Sequence, residues 1–132
     1  MLYESSRRFE VWGWRVGHGG LLLRSNPTPE YARRVEVLFK PAYAACLPSW
    51  LDGITLCEAD SAEVADWHAQ HHGVHLHDYN NLFMVSTGSV RGWVVGGSAN
   101  GREDDGDYDS PPLFDGLAPP PGVRELFTTY EG

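Results

Sequence analysis

The first strong pattern along the chain is an alternation of apolar and polar residues with a period of two, which is typical of a β-strand. It covers residues 9–16, where Phe9 and Val11 lie on one face and Trp12 and Trp14 lie on the other. Large apolar groups therefore occur on both faces. This pattern predicts a strand that is covered on each side over part of its length.

Two more strands are predicted directly after this one. A glycine-rich stretch, residues 17–20, supplies backbone that tolerates positive φ, as a tight hairpin requires. Leu21–Leu23 is a short apolar run of strand length that is closed by Arg24 and Ser25, and Val35–Lys40 again alternates with a period of two. Pro41 is predicted to end this third strand because proline cannot donate a hydrogen bond to a neighbouring strand. The segment after it is predicted to be a loop that packs Tyr43, Leu47 and Trp50 over the edge of the sheet.

The middle of the chain contains one clear signal for a helix. Asp60 and Glu63 have the spacing of a capping box, so a helix is predicted to begin near Ser61 and to end before Gly73. The remaining apolar segments predict further strands at 54–57, 82–87 and 90–96, the last two joined by a turn at 88–89.

These elements predict a mainly β protein with one short helix, of the α+β class. We expect an antiparallel sheet of about six to seven strands, arranged as a small sandwich or an open barrel. The length of 132 residues predicts a single domain, residues 1–132. Its core is assigned to residues 9–98, and residues 99–132 are interpreted as an acidic, proline-rich insertion and tail. Val123–Tyr130 fits an edge strand or a short helix equally well.

The residues of the first three strands also carry a resemblance. The Trp-rich strand at 12–18, the Leu-Leu-Leu-Arg-Ser run at 21–25 and the Val-x-Val-Leu-Phe-Lys strand at 35–40 resemble a group of short bacterial β-rich proteins. The resemblance covers about a quarter of the chain, and Gly17 stands where that group has serine. No activity is assigned to the group, so the resemblance implies a fold core and transfers no catalytic residue.

Charge is distributed unevenly along the chain, which has a net charge of −8. Residues 1–40 carry seven basic and four acidic residues, a net +3, and residues 41–132 carry three basic and fourteen acidic residues, a net −11. This balance opposes nucleic-acid binding, which needs cationic surface, and favours a basic protein partner. No segment has the apolar length of a membrane span or the pattern of a secretory signal, so the expected location is cytoplasmic.

The densest group of chemically active residues is a histidine cluster. His68 and His72 are four residues apart on the predicted helix, and His75, His77 and Asp78 follow closely. Imidazole and carboxylate ligands at this spacing suit a divalent transition metal such as zinc, nickel or iron. The segment is not a zincin motif, because Ala69 stands where that motif has its catalytic glutamate. The alternative is a solvated, His-rich helix end that binds no metal.

A second group of charged residues lies in the polar insertion. Three of its carboxylates, Asp105, Asp107 and Asp109, have calcium-loop spacing, but Ser110 and Gly116 stand where an EF-hand needs glycine and glutamate. We interpret the insertion as an acidic contact arm for a partner. The residues assigned to this arm are Glu103, Asp104, Asp105, Asp107 and Asp109.

The sequence contains no recognisable nucleophile motif or catalytic set, which favours a protein that is not an enzyme. The first hypothesis is a small interaction protein, in concrete form an immunity-type protein that covers a basic toxin. A second hypothesis is a metal-binding protein or small metalloenzyme that uses the cluster from His68 to Asp78. A third is a β-barrel that binds an apolar small molecule. The third hypothesis competes with the expectation that Trp12, Trp14 and Trp93 belong to the core.

Overall fold

The computed structural model describes residues 1–14, 19–74, 76, 81–110 and 122–129. These residues form seven β-strands and one α-helix. In chain order the elements are β1 (Tyr3–Trp14), β2 (Leu21–Ser25), β3 (Arg34–Cys46), β4 (Trp50–Glu58), α1 (Ser61–Gln70), β5 (Asn81–Thr87), β6 (Val90–Asp104) and β7 (Arg124–Thr128). The prediction of a mainly β, antiparallel fold with one short helix is confirmed.

The strands form one sheet in the order β3-β2-β1-β4-β5-β6-β7, and every pair is antiparallel. An additional pairing between β3 and β6 joins the first strand of this order to the sixth, so six strands close into a barrel and β7 lies beside it on β6. β6 is long enough to pair with β5 along its first half and with β7 along its second. Closure pairs β3 and β6, the two strands that would be the open edges of a flat six-stranded sheet.

The barrel interior is filled by side chains from alternate positions of its strands, as expected for a barrel with few strands. Phe39 on β3 and Phe83 on β5 are both fully buried, and their ring centroids lie 5.6 Å apart. The other fully or almost fully buried apolar residues around them are Phe9, Leu21, Leu23, Val35, Val37, Ala42, Leu51, Ile54, Leu56, Val85, Val94 and Ala99. The outward-facing positions are therefore where a binding site has to be sought.

The prediction that Pro41 ends the third strand is wrong. β3 runs through Pro41 to Cys46, because Lys40 and Ala42 on either side still pair with Ser98 and Gly96 of β6. A register shift follows directly after this point, between Ala42 and Ala44. Proline occurs in strands where the ladder is interrupted, which explains how the strand tolerates it.

Two other boundaries differ from those drawn from the sequence. β6 continues to Asp104, so residues 99–104 belong to a barrel strand rather than to the insertion that was assigned to residues 99–132. Val123–Tyr130, for which the sequence allowed a strand or a helix, contains strand β7, and this strand pairs with residues 100–103 of β6. The turn predicted at residues 17–20 lies partly outside the described residues.

Helix α1 has the predicted start. The Asp60 side chain accepts a hydrogen bond from the Glu63 amide at 2.8 Å, and the Glu63 side chain accepts one from the Asp60 amide at 3.1 Å. The helix packs on the outside of the barrel through Trp67, which contacts Leu82 and Val95. Within the described part of the chain, no helix is both long enough and apolar enough to cross a membrane.

Candidate interaction surface

A row of charged residues crosses the outer face of five neighbouring strands. Directly paired residues of antiparallel strands share a face of the sheet. The pairings place Glu10 beside Arg24, Arg24 beside Glu36, Glu36 beside Arg102 and Arg102 beside Glu125. The sign of the charge alternates at every step, so each side chain has an opposite charge as its neighbour.

The centre of this row is buried although it lies on the outside of the barrel. The Arg24 and Glu36 side chains are 1% and 0% exposed, and Arg24 Nε donates to Glu36 Oε2 at 2.7 Å. The Arg24 guanidinium lies 4.1 Å from the centre of the Trp12 ring and donates from Nη1 to the Tyr108 carbonyl at 3.3 Å. This ion pair therefore fixes both Trp12 and the loop at 105–110 against the sheet.

A second buried arginine holds the beginning of the same loop. Arg34 donates from Nε and Nη2 to the two carboxylate oxygens of Asp104, at 3.0 and 2.9 Å, and from Nη1 to the Ser110 carbonyl at 3.0 Å. The Gly106 amide also donates to Asp104, at 2.9 Å. Planar, two-point contacts of this kind fix orientation as well as charge. The loop is thus attached to the barrel at both of its ends.

The other acidic residues at the base of the predicted contact arm are also bound within the chain. Asp105 accepts from Arg33 at 2.8 Å. Glu103 lies 3.4 Å from both Arg33 and Arg124. The arm assigned from the sequence therefore has two parts. Its base is neutralised by the protein's own arginines, whereas the carboxylates at its tip, Asp107 and Asp109, have no ion pair among the described residues.

The contacts of Asp104 hold the pKa of its carboxyl below the ordinary value. Burial alone would raise that pKa, but the Arg34 hydrogen bonds, the Gly106 amide and the charges of Arg34 and Arg33 outweigh it. The ionised form is therefore the one that stabilises the fold.

Asp104→Asn is expected to destabilise the protein at neutral pH, by an amount that shrinks in acid. The contribution of the carboxylate is present above the ordinary pKa of 3.8 and is lost as the pH falls through the lower folded value. Denaturant midpoints of both proteins, measured from neutral pH to below pH 3.8, check this. Asp109→Asn is the matched control, since the exposed Asp109 has no ion pair among the described residues. An equal destabilisation at every pH would contradict the expectation.

The tip of the arm is a turn that exposes an aromatic side chain between two acids. Asp107 accepts from the Asp109 amide and from the Ser110 hydroxyl, both at 3.1 Å, which shapes the turn. Tyr108 between them is 64% exposed. Its ring lies edge-on to Trp12, with the ring centroids 5.1 Å apart. The tip therefore extends the surface of the sheet rather than projecting away from it.

A third aromatic residue lies on the same outer face. Trp50 on β4 pairs with Glu10 on β1 and is 60% exposed. The Arg8 guanidinium lies 4.1 Å from the centre of its ring, and Arg8 is 3.5 Å from Asp52. We call the surface formed by Trp12, Trp50 and Tyr108 the aromatic face.

The aromatic face differs from the predictions made for its residues. Trp50 and Tyr43 do not cover the sheet edge as buried groups; they are 60% and 53% exposed. Trp12 and Trp93 are half-buried on the outside of the barrel and Trp14 is exposed, so none of the three belongs to the barrel core. The interior is filled by smaller apolar side chains, mainly phenylalanine, leucine and valine.

The histidine cluster is only partly described. His68 and His72 are both exposed, and His75, His77 and Asp78 lie outside the described residues. Within the described residues, no three His, Cys, Asp or Glu side chains come together as a metal site. The metal hypothesis stays a prediction. Cys46 and Cys57 are free cysteines, the first exposed and the second half-buried.

Comparison with known proteins does not extend these observations. No protein-family model, curated protein or solved structure matches the chain. The geometry of the surface itself is therefore the guide to function.

Proposed function

We propose that the protein is a non-enzymatic binding module that contacts a basic protein through its aromatic face. An immunity-type protein that covers a basic toxin is the concrete form of this proposal. The observation that carries it is the position of Trp50 and Tyr108, which are both more than half exposed on one face of the sheet. Single exposed apolar residues are common, but a group of large aromatics on one face marks an interaction site.

The composition of the face is that of an energetic centre in a protein interface. Tryptophan, tyrosine and arginine are the residues that most often dominate binding energy. Here Trp12 is held by Arg24, and Trp50 is held by Arg8. Side chains that are already fixed lose little conformational entropy when a partner binds, so more of the contact energy appears as affinity.

The charge around the face favours a basic partner. Arg8 and Asp52 offset each other, and Arg24 is paired with the buried Glu36. The acids that remain around the three aromatics are Glu10, Asp107 and Asp109. Together with the net charge of −8, they would steer a cationic protein towards this side and repel nucleic acid.

Replacing Trp50 and Tyr108 by alanine together is expected to weaken partner binding by roughly a hundredfold to a thousandfold, since interface anchors each contribute roughly 2 kcal/mol or more. The protein and its variants would be immobilised and used to capture proteins from a lysate. A captured protein would then be purified and its Kd measured at low and high salt. Tyr43→Ala is the matched control, because Tyr43 is 53% exposed but lies on β3, apart from the aromatic face.

The proposal requires three results together. The captured protein is basic, its affinity falls steeply with salt, and binding survives Tyr43→Ala but not the double replacement. Equal binding by the double variant would contradict the proposal, as would a partner that is acidic or bound independently of salt. Circular dichroism of each variant would establish that lost binding does not come from lost folding.

A further inference from the structure

Helix α1 leaves a cleft of about 410 Å³ between itself and the outer face of the barrel. Its floor is a row of three neighbouring residues on β5, β6 and β3, namely Met84, Trp93 and Cys46. Its wall includes Trp67 on the helix and His71 at the helix end. The cleft uses none of the residues of the aromatic face, and its volume falls in the range of small-molecule sites.

Three aromatic rings of the cleft pack against one another. The rings of Trp67 and His71 are stacked, with centroids 5.1 Å apart and an angle of 22° between their planes. Trp93 lies nearly perpendicular to both, at 5.3 Å from Trp67 and 4.9 Å from His71. Trp93 is only half-buried, so part of its indole surface is open to the cleft. A flat ring can stack on such a surface.

The cleft also offers a hydrogen-bond acceptor beside its aromatic floor. His71 Nδ1 lies 2.8 Å from the Trp67 carbonyl, which can only accept, so Nδ1 is the donor and Nε2 of the neutral ring is left as an acceptor. This acceptor belongs to a ring that lies beside the half-buried indole of Trp93.

The charges at the rim disfavour an anionic ligand. Among the described residues that line the cleft, Arg91 is the single arginine or lysine, and it forms an ion pair with Glu63 on the helix. Asp66 also lines the cleft and has no ion pair among the described residues. A phosphate or carboxylate entering the cleft would meet this unpaired carboxylate at close range.

We propose that this cleft binds a planar nitrogen heterocycle that carries no negative charge. The ring stacks on Trp93, and a donor on the same molecule reaches His71 Nε2. Adenosine has these features and serves as the probe. AMP has the same ring with an added phosphate, and cyclohexanol has a hydroxyl group but no planar ring.

The experiment follows the indole N–H signals of the five tryptophans by NMR while each probe is added. Adenosine is expected to shift the Trp67 and Trp93 signals with saturation in the millimolar range or below, AMP to bind at least tenfold more weakly, and cyclohexanol to have no effect. Trp93→Leu is expected to weaken adenosine binding at least tenfold. Trp50→Leu, which changes a tryptophan outside the cleft, is expected to leave it unchanged.

A second variant tests the charge argument without touching the buried rings. Asp66 is exposed, so Asp66→Asn should fold normally. It is expected to raise the affinity for AMP severalfold and to leave the affinity for adenosine unchanged. The proposal is overturned if adenosine gives no saturable shift of the Trp67 and Trp93 signals. It is also overturned if AMP binds the unmodified protein as tightly as adenosine, or if Asp66→Asn does not improve AMP binding.

Discussion

Glu36→Ala is expected to lower the free energy of unfolding by about 3–5 kcal/mol, which is the usual effect of removing one partner of a buried ion pair. The Arg24 and Glu36 side chains are 1% and 0% exposed, so the variant leaves a guanidinium buried without the carboxylate at 2.7 Å. Nη2 of Arg24 is already buried without a hydrogen-bond partner among the described residues, so little compensation is available. Urea denaturation monitored by circular dichroism measures the change.

Two controls separate burial from charge in this experiment. Arg8→Ala breaks the exposed contact to Asp52, and we expect it to cost no more than about 1 kcal/mol. Replacing Arg24 and Glu36 together by methionine and leucine is expected to be less destabilising than Glu36→Ala, because no unpaired charge is left behind. A Glu36→Ala protein as stable as the Arg8→Ala protein would show that the pair is solvated, contrary to the structure.

Phe39→Ala is expected to destabilise the protein by roughly 3–5 kcal/mol, the range for truncating a buried phenylalanine. Phe39 is fully buried in the barrel, and its neighbour Phe83 is fixed on another strand of the closed sheet. Because the barrel is closed, its walls have little freedom to collapse into the space left by the ring. The variant therefore loses both the apolar contact and the packing around it.

Val90→Ala is the matched control for the barrel core. Val90 is at the start of β6 and is 51% exposed, so its truncation is expected to change the free energy of unfolding by only about 0.5 kcal/mol or less. The same urea denaturation applies to both variants. Similar small changes in the two proteins would contradict the assignment of Phe39 to a packed interior.

Several strands and the helix of this fold can be predicted from the sequence, because each is encoded by a pattern within a few neighbouring residues. The alternation at Phe9 and Val11, the hairpin between β5 and β6 and the capping box at Asp60 and Glu63 each appear in the structure. Closure of the barrel is not readable in this way. It depends on pairing β3 with β6, strands about fifty residues apart or more along the chain, and no local pattern encodes that contact.

The candidate surface was harder to predict for a related reason. Alternation separates Glu36 from Val35 and Val37, but only the three-dimensional structure shows that Arg24 lies beside Glu36. It also shows that Trp12 and the loop around Tyr108 contact Arg24. From the sequence, the same loop was interpreted as a free acidic arm. Its arginine partners are distant along the chain, since Arg34 is seventy positions from Asp104. The sequence shows that Arg34 and Asp104 carry opposite charges, but it does not show that these two residues are neighbours in the fold.

The most direct test of the proposed function is hydrogen–deuterium exchange of the protein alone and in complex with the basic partner obtained by capture. Binding through the aromatic face predicts slower exchange in residues 8–12, 50–52 and 105–110, because these backbone segments carry Trp12, Trp50, Tyr108 and their neighbours. Residues 61–70 of helix α1 should exchange unchanged. Protection of the helix without protection of the three segments would contradict the central claim.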